Sequence, residues 1–174
     1  MKRIVALALL TVSVACLDTA CGQSTSPQVV APKPEALVGA WRARVTFNKG
    51  ALADMKDLEF LYAYNVGGTM TESSNYDEAA NSSPPAYGVW KQIDARHFQT
   101  KYVFFTTQSS TTAAGVVKGS DWWPAGHGEL TETITLSEDG RTYASTIALT
   151  IFDKTGKPID GGGEGNGVGT RIGF

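Results

Sequence analysis

The chain has 174 residues but only two cysteines, Cys16 and Cys21, and none after them. That excludes a disulfide framework and removes any cysteine nucleophile or thiolate ligand from the rest of the chain. Histidine is as scarce: His97 and His127 are the full complement, thirty positions apart. No H-E-x-x-H, G-x-S-x-G or G-x-G-x-x-G can be drawn through the sequence, so it offers no metal centre, serine elbow or dinucleotide cofactor site. An excess of positive charge is also lacking. Fifteen Lys and Arg stand against seventeen Asp and Glu, a net charge of −2. Nothing in that balance draws the protein to nucleic acid or to an anionic membrane surface.

Long apolar runs are absent too, apart from one at the start. Lys2 and Arg3 precede an unbroken apolar and small-residue run from Ile4 to Ala15, too short to cross a bilayer and of the length of a signal-peptide core. We therefore read residues 1–20 as a signal peptide and expect export, to the periplasm, to an outer-membrane anchor or to the medium. Without Lys2, Arg3 and Asp18 the balance becomes thirteen against sixteen, or −3. Cys21 or Cys16 at the leader boundary matches the position of a lipidated lipoprotein cysteine, and cleavage as an ordinary signal peptide is the alternative. Residues 21–36, containing GQSTSPQVVAPKP, are polar, Pro-containing and without period, as a linker or lipoprotein tether would be. A membrane is expected to matter only through such an anchor.

What is present from residue 37 to 174 is the alternation of β-strands. In LVGAWRARVTF, Trp41, Ala43, Val45 and Phe47 fall on one face, and Arg42, Arg44 and Thr46 on the other. Similar runs follow, broken by Val66-Gly67-Gly68, Asp94-Ala95-Arg96, Glu138-Asp139-Gly140 and Lys154-Thr155-Gly156-Lys157. The expected fold class is all-β, a single antiparallel up-and-down barrel of about eight strands, since closure removes exposed edges; a β-sandwich is the alternative. Asn48 to Asp57 is expected to form a short helical turn, and Gln108 to His127 a long irregular segment of the kind that is often functional. Gly161, Gly163, Gly165, Gly167 and Gly169 leave one face of the last strand bare. Either neighbouring aromatics lie over that face, or the backbone closely approaches a ligand.

Gly39-Ala40-Trp41 on the first strand and Arg171 on the last resemble the G-x-W motif and the cross-packing basic residue of lipocalins and their relatives. The T-D-Y element and C-terminal helix of lipocalins proper have no counterpart here, so the resemblance is to the looser lipocalin-like barrels of bacteria. Barrels of the allene-oxide-cyclase type look similar at this level. The resemblance implies an eight-stranded barrel open at one end onto an apolar cavity, structural roles for Gly39, Trp41 and Arg171, and, in the cyclase branch, a polyene or polyketide folded inside.

Two glutamates share faces with apolar residues: Glu132 with Leu130, Ile134 and Leu136, and Glu72 with Met70. A carboxylate inside a barrel must be paired or protonated. Lys91 and Lys101 are the expected partners, the alternative being a salt bridge of purely structural kind. Tyr62, Tyr64, Tyr102, Phe104 and Tyr143 supply an aromatic interior, and Trp122 with Trp123 lies in the long irregular segment as cap or lid. The candidate ligand-binding set is therefore Tyr62, Tyr64, Glu72, Lys101, Tyr102, Trp122, Trp123, Glu132 and Tyr143, with Glu72 and Glu132 the candidate acids or bases. Three functions fit: a carrier of a small apolar molecule, a cyclase or isomerase using a buried glutamate, or an envelope module with a filled barrel.

Overall fold

In the computed structural model, residues 36–76, 85–109 and 122–174 are described, Ser109 and Trp122 by their backbone only. The leader, Cys16, Cys21, the tether as far as residue 35 and the centre of the long segment lie outside the described residues.

Alternation is what builds each element. On β1 (Gly39–Phe47), the four apolar residues from Trp41 are buried while Arg42, Arg44 and Thr46 are exposed. The same pattern runs through β2 (Leu58–Tyr64), β3 (Thr69–Ser74), β4 (Ala86–Gln92), β5 (His97–Ser109), β6 (Trp122–Leu136), β7 (Thr142–Asp153) and β8 (Pro158–Arg171). Each strand pairs antiparallel with the next, and β8 pairs with β1 from Trp41↔Arg171 to Phe47↔Gly165, so the sheet closes into an eight-stranded barrel. The sandwich alternative is excluded by that last pairing.

The expected turns close the hairpins. Between β2 and β3, Asn65 N–H donates to Thr69 O at 2.9 Å, and Gly67 and Gly68 adopt φ of 91° and 89°, which side chains resist. Between β4 and β5, one Asp94 oxygen accepts the N–H groups of Arg96 and His97, each at 3.0 Å.

Two expectations need correcting. Residues 48–57 form no helix: Ala53 N–H to Gly50 O and Met55 N–H to Leu52 O make isolated turns. Positive φ at Gly50 and Asp57 bounds the segment, which leaves too few residues to offset helix nucleation. The irregular segment over Gln108–His127 is also shorter than its composition suggests. Strands β5 and β6 continue past the rest of the sheet to the pair Ser109↔Trp122, and a register shift at Thr106/Thr107 accommodates Pro124 and Gly126. A bulge tolerates residues that a regular ladder does not.

The bare face of β8 points inward. A Cβ at Gly169 would stand 2.1 Å from the Tyr143 ring, and one at Gly167 would stand 2.5 Å from Ser145 Oγ. Side chains of β7 thus occupy the space that β8 leaves, as the first of the two readings of this strand expects.

Candidate functional site

The two ends of the barrel are built differently. At the end where β1 starts and β8 finishes, the Arg171 guanidinium lies 4.2 Å from the centroid of the Trp41 ring. Its three nitrogens donate to carbonyls of Gly140, Val38 and Ala36, and Trp41 Nε1 donates to Leu37 O at 2.9 Å. Glycine suits position 39 beside it, because the backbone there adopts φ of 129°, which side chains resist, and a Cβ would lie 2.9 Å from Arg171 Nη1. Below this plug the interior is packed with aromatics: Tyr143 sits 5.1 Å from Trp41, and Tyr64 meets Trp90 edge to face at 6.3 Å.

The waist of the barrel is polar. Glu132 and Glu72 both point inward, as alternation on β6 and β3 requires, and are 1% and 7% exposed. Cross-strand pairing puts Glu132 beside Thr100 of β5 and Ile147 of β7. Glu72 stands beside Tyr62 of β2 and Ala86 of β4. The phenol oxygens of Tyr62 and Tyr102 are 3.0 Å apart, one donating to the other.

Burial pushes the Glu132 carboxyl from 4.5 up to about 7; the nearby Ser145 and Tyr62 hydroxyls favour the charged form but do not offset that burial. Among the described residues, neither Glu132 oxygen has a hydrogen bond of good geometry. The Tyr62, Tyr64 and Tyr102 phenols are held well above the usual tyrosine value by burial first and by the Glu132 charge second, and Tyr143 is raised for the same two reasons. The missing side chain at Gly167 leaves room for the Ser145 hydroxyl, which a Cβ there would meet at 2.5 Å, while Glu132 Oε1 would be in ordinary contact at 3.5 Å.

Toward the other end the described residues leave the interior open. A cavity of about 340 Å³ is walled by apolar residues such as Phe47, Phe60, Phe104, Leu130 and Leu149, with Glu72 at its floor and Asp160 and Tyr76 at its mouth. It is ringed by the end of β1, the start of β2 and the last turns of β3, β5 and β7.

The structure therefore gathers Tyr62, Tyr64, Glu72, Tyr102, Glu132 and Tyr143 inside the barrel. Of these, Glu72 lines the cavity; the others lie deeper. Lys101 is displaced from the set. Because Tyr102 points in, Lys101 points out, where its Nζ lies 2.7 Å from Glu129. Lys91 is exposed with Tyr87 and Val89, an apolar run that belongs to the outer face. Neither lysine pairs with the interior glutamates. Trp123 stands on strand β6 and is 42% exposed, and the Trp122 side chain lies outside the described residues. The two histidines are apart: His97 holds Asp94 at 2.8 Å, and His127 stacks on Phe152 at 4.7 Å. Among the described residues no group of three His, Cys, Asp or Glu could hold a metal ion.

Ser145 and Thr100, the hydroxyls flanking Glu132, were reachable by the same alternation, since Ser145 falls between Tyr143 and Ile147. The cavity walls were not, because they come from the ends of strands that only closure brings together. No protein-family model matches the chain, and no curated protein matches it in sequence.

Proposed function

We propose that this protein is an exported barrel, secreted or lipid-anchored, that takes up one small apolar molecule non-covalently at its open end. The observation that carries the reading is the cavity: about 340 Å³ of apolar-walled space at one end of a barrel whose other end is plugged by Trp41 and Arg171. That volume lies within the usual range of ligand sites. The likeness of Gly39, Trp41 and Arg171 to the lipocalin-like pattern supports the same reading. Native mass spectrometry of the protein purified without detergent tests it. A stoichiometric small molecule is expected, and Ile151→Trp, which fills the cavity from its wall, should lower its occupancy at least tenfold. A bare mass, together with no uptake of an added apolar fluorophore, would favour a filled barrel that serves the envelope structurally.

A second reading, a cyclase or isomerase, is favoured by one feature: Glu72 places a carboxyl group at the floor of an apolar space, where proton transfer to a bound polyene could occur. In that case Glu72→Gln abolishes turnover and leaves ligand uptake intact.

A further inference from the structure

The waist is the layer of side chains directly beneath the cavity. Phe60, Phe104, Leu130 and Leu149 wall the cavity, and two residues deeper on the same inward faces stand Tyr62, Tyr102, Glu132 and Ile147. A strand rises about 3.3 Å per residue, which puts Glu132 about 7 Å below the cavity wall at Leu130. Glu132 is 1% exposed, and neither of its oxygens has a hydrogen bond of good geometry. The charge of such a group is governed by the polarity of the space around it more than by fixed partners. Among the described residues, the titratable groups that face it are the phenols of Tyr62 and Tyr64 on β2, Tyr102 on β5 and Tyr143 on β7, together with Glu72 on β3. Burial first, and then the Glu132 charge, holds the four phenols above the usual tyrosine value, so they stay protonated near neutral pH. At the waist the inward faces of β1, β4 and β8 carry apolar side chains or glycine, such as Ala43, Trp90 and Gly167.

Water in an open cavity turns its dipoles toward a nearby charge, and an apolar body that displaces the water does not. Filling the cavity therefore takes solvation from an ionised Glu132 one layer below and leaves the neutral acid almost untouched. Resting on the reading of this cavity as a ligand site, we propose that uptake is coupled to the proton on Glu132, so that the barrel holds its apolar ligand tightly while that carboxyl is neutral and loosely once it ionises. The coupling is reciprocal: the ligand raises the affinity of Glu132 for its proton by the factor by which the proton raises the affinity for the ligand. Burial already sets this carboxyl at about 7 in place of 4.5, which brings the change into the neutral range. Affinity is greatest below pH 7 and falls as the pH rises through it. Each pH unit by which occupancy raises the pKa is worth about tenfold in affinity.

Decanol, an apolar probe with no titrating group of its own, tests the coupling, because any pH dependence of its binding belongs to the protein. Calorimetric titration into the purified protein at pH 5.5, 6.5, 7.5 and 8.5 should show the affinity falling at least threefold across the series. Near pH 7 the heats in phosphate and in Tris should differ by a net uptake of protons on binding. Glu132→Gln, checked for its fold by circular dichroism, should lose the pH dependence. Ser145→Ala removes a hydroxyl that favours the charged carboxyl and should move the midpoint of the profile to higher pH. Decanol binding that is flat with pH in the unaltered protein would overturn the coupling while leaving the cavity a ligand site. So would a midpoint that Ser145→Ala leaves in place, or a dependence that survives in Glu132→Gln; its loss in Glu72→Gln would then assign the proton to Glu72. No binding of decanol at any pH would overturn both the coupling and the ligand-carrier reading.

Discussion

Replacing Glu132 by glutamine tests the electrostatics of the barrel waist most directly. Burial sets the Glu132 carboxyl at about 7 in the folded protein, against 4.5 for the ordinary side chain. Between those two pH values the folded protein holds a proton that the unfolded chain has released. The stability this group allows is fully present below about pH 4.5, declines as the pH rises through 7, and is constant above. At about 1.4 kcal/mol for each pH unit between the two pKa values, the full loss is about 3 kcal/mol. Most of it, about 2 to 3 kcal/mol, falls between pH 5 and pH 8.

Glutamine is neutral throughout and keeps the shape, so the variant should behave as the protonated parent does. The difference in unfolding free energy, variant minus parent, should therefore grow by about 2 to 3 kcal/mol from pH 5 to pH 8, or by roughly 5 to 10 °C in Tm for a domain of this size. Urea unfolding of both proteins at pH 5, 6, 7 and 8 measures that difference, and every other titrating group cancels in it. A difference that stays flat with pH, or that shrinks as pH rises, would refute the reasoning, because Glu132 would then be ionised at no cost.

Two further perturbations address the ends of the argument about packing. Gly169→Ala places a methyl group 2.1 Å from a Tyr143 ring that is itself backed by Trp41 at 5.1 Å; a loss of about 2 to 3 kcal/mol is expected in urea unfolding, whereas Gly173→Ala, with nothing within 4 Å, should be neutral. Arg171→Ala removes the guanidinium from the Trp41 face and strips three carbonyls of their donor, which should cost about 2 to 4 kcal/mol without changing affinity for ligand at the far cavity; a fall in affinity at unchanged stability would contradict the separation of the two ends.

The fold was legible because period-two alternation is a local property. Trp41, Val45 and Phe47 on β1, or Leu130, Glu132 and Ile134 on β6, need only the pleat of a single strand to be assigned a face, and Glu72 and Glu132 were correctly turned inward on that basis. Lys91 was misplaced because the outer wall of β4 carries Tyr87 and Val89, apolar side chains more than half exposed; an apolar set marks a face without saying which side of the barrel it is on. Lys101 was grouped with its neighbour Tyr102 on β5, and the pleat turns only one of two adjacent residues inward. Gln108 and Ser109 of β5 and the start of β6 as far as His127 were read as loop, since a bulge breaks the alternation on which the reading depends. The cavity was invisible for a different reason. Phe47, Phe60, Phe104 and Leu149 belong to four strands, and their meeting depends on closure and stagger, which no one segment encodes.

Closure also has a consequence for the order in which the molecule is assembled. The plug joins Arg171 to Val38, 133 positions away, while the other strand pairs are hairpins between neighbours. Neighbouring hairpins close short loops, but the β1–β8 seam must wait for the six strands between them, and contacts of such long sequence separation are the slow ones in folding. Until β8 is in place, the meander of the other seven strands has two unpaired edges and no guanidinium to cover the Trp41 indole, so the residue that completes the plug sits on the strand that completes the barrel.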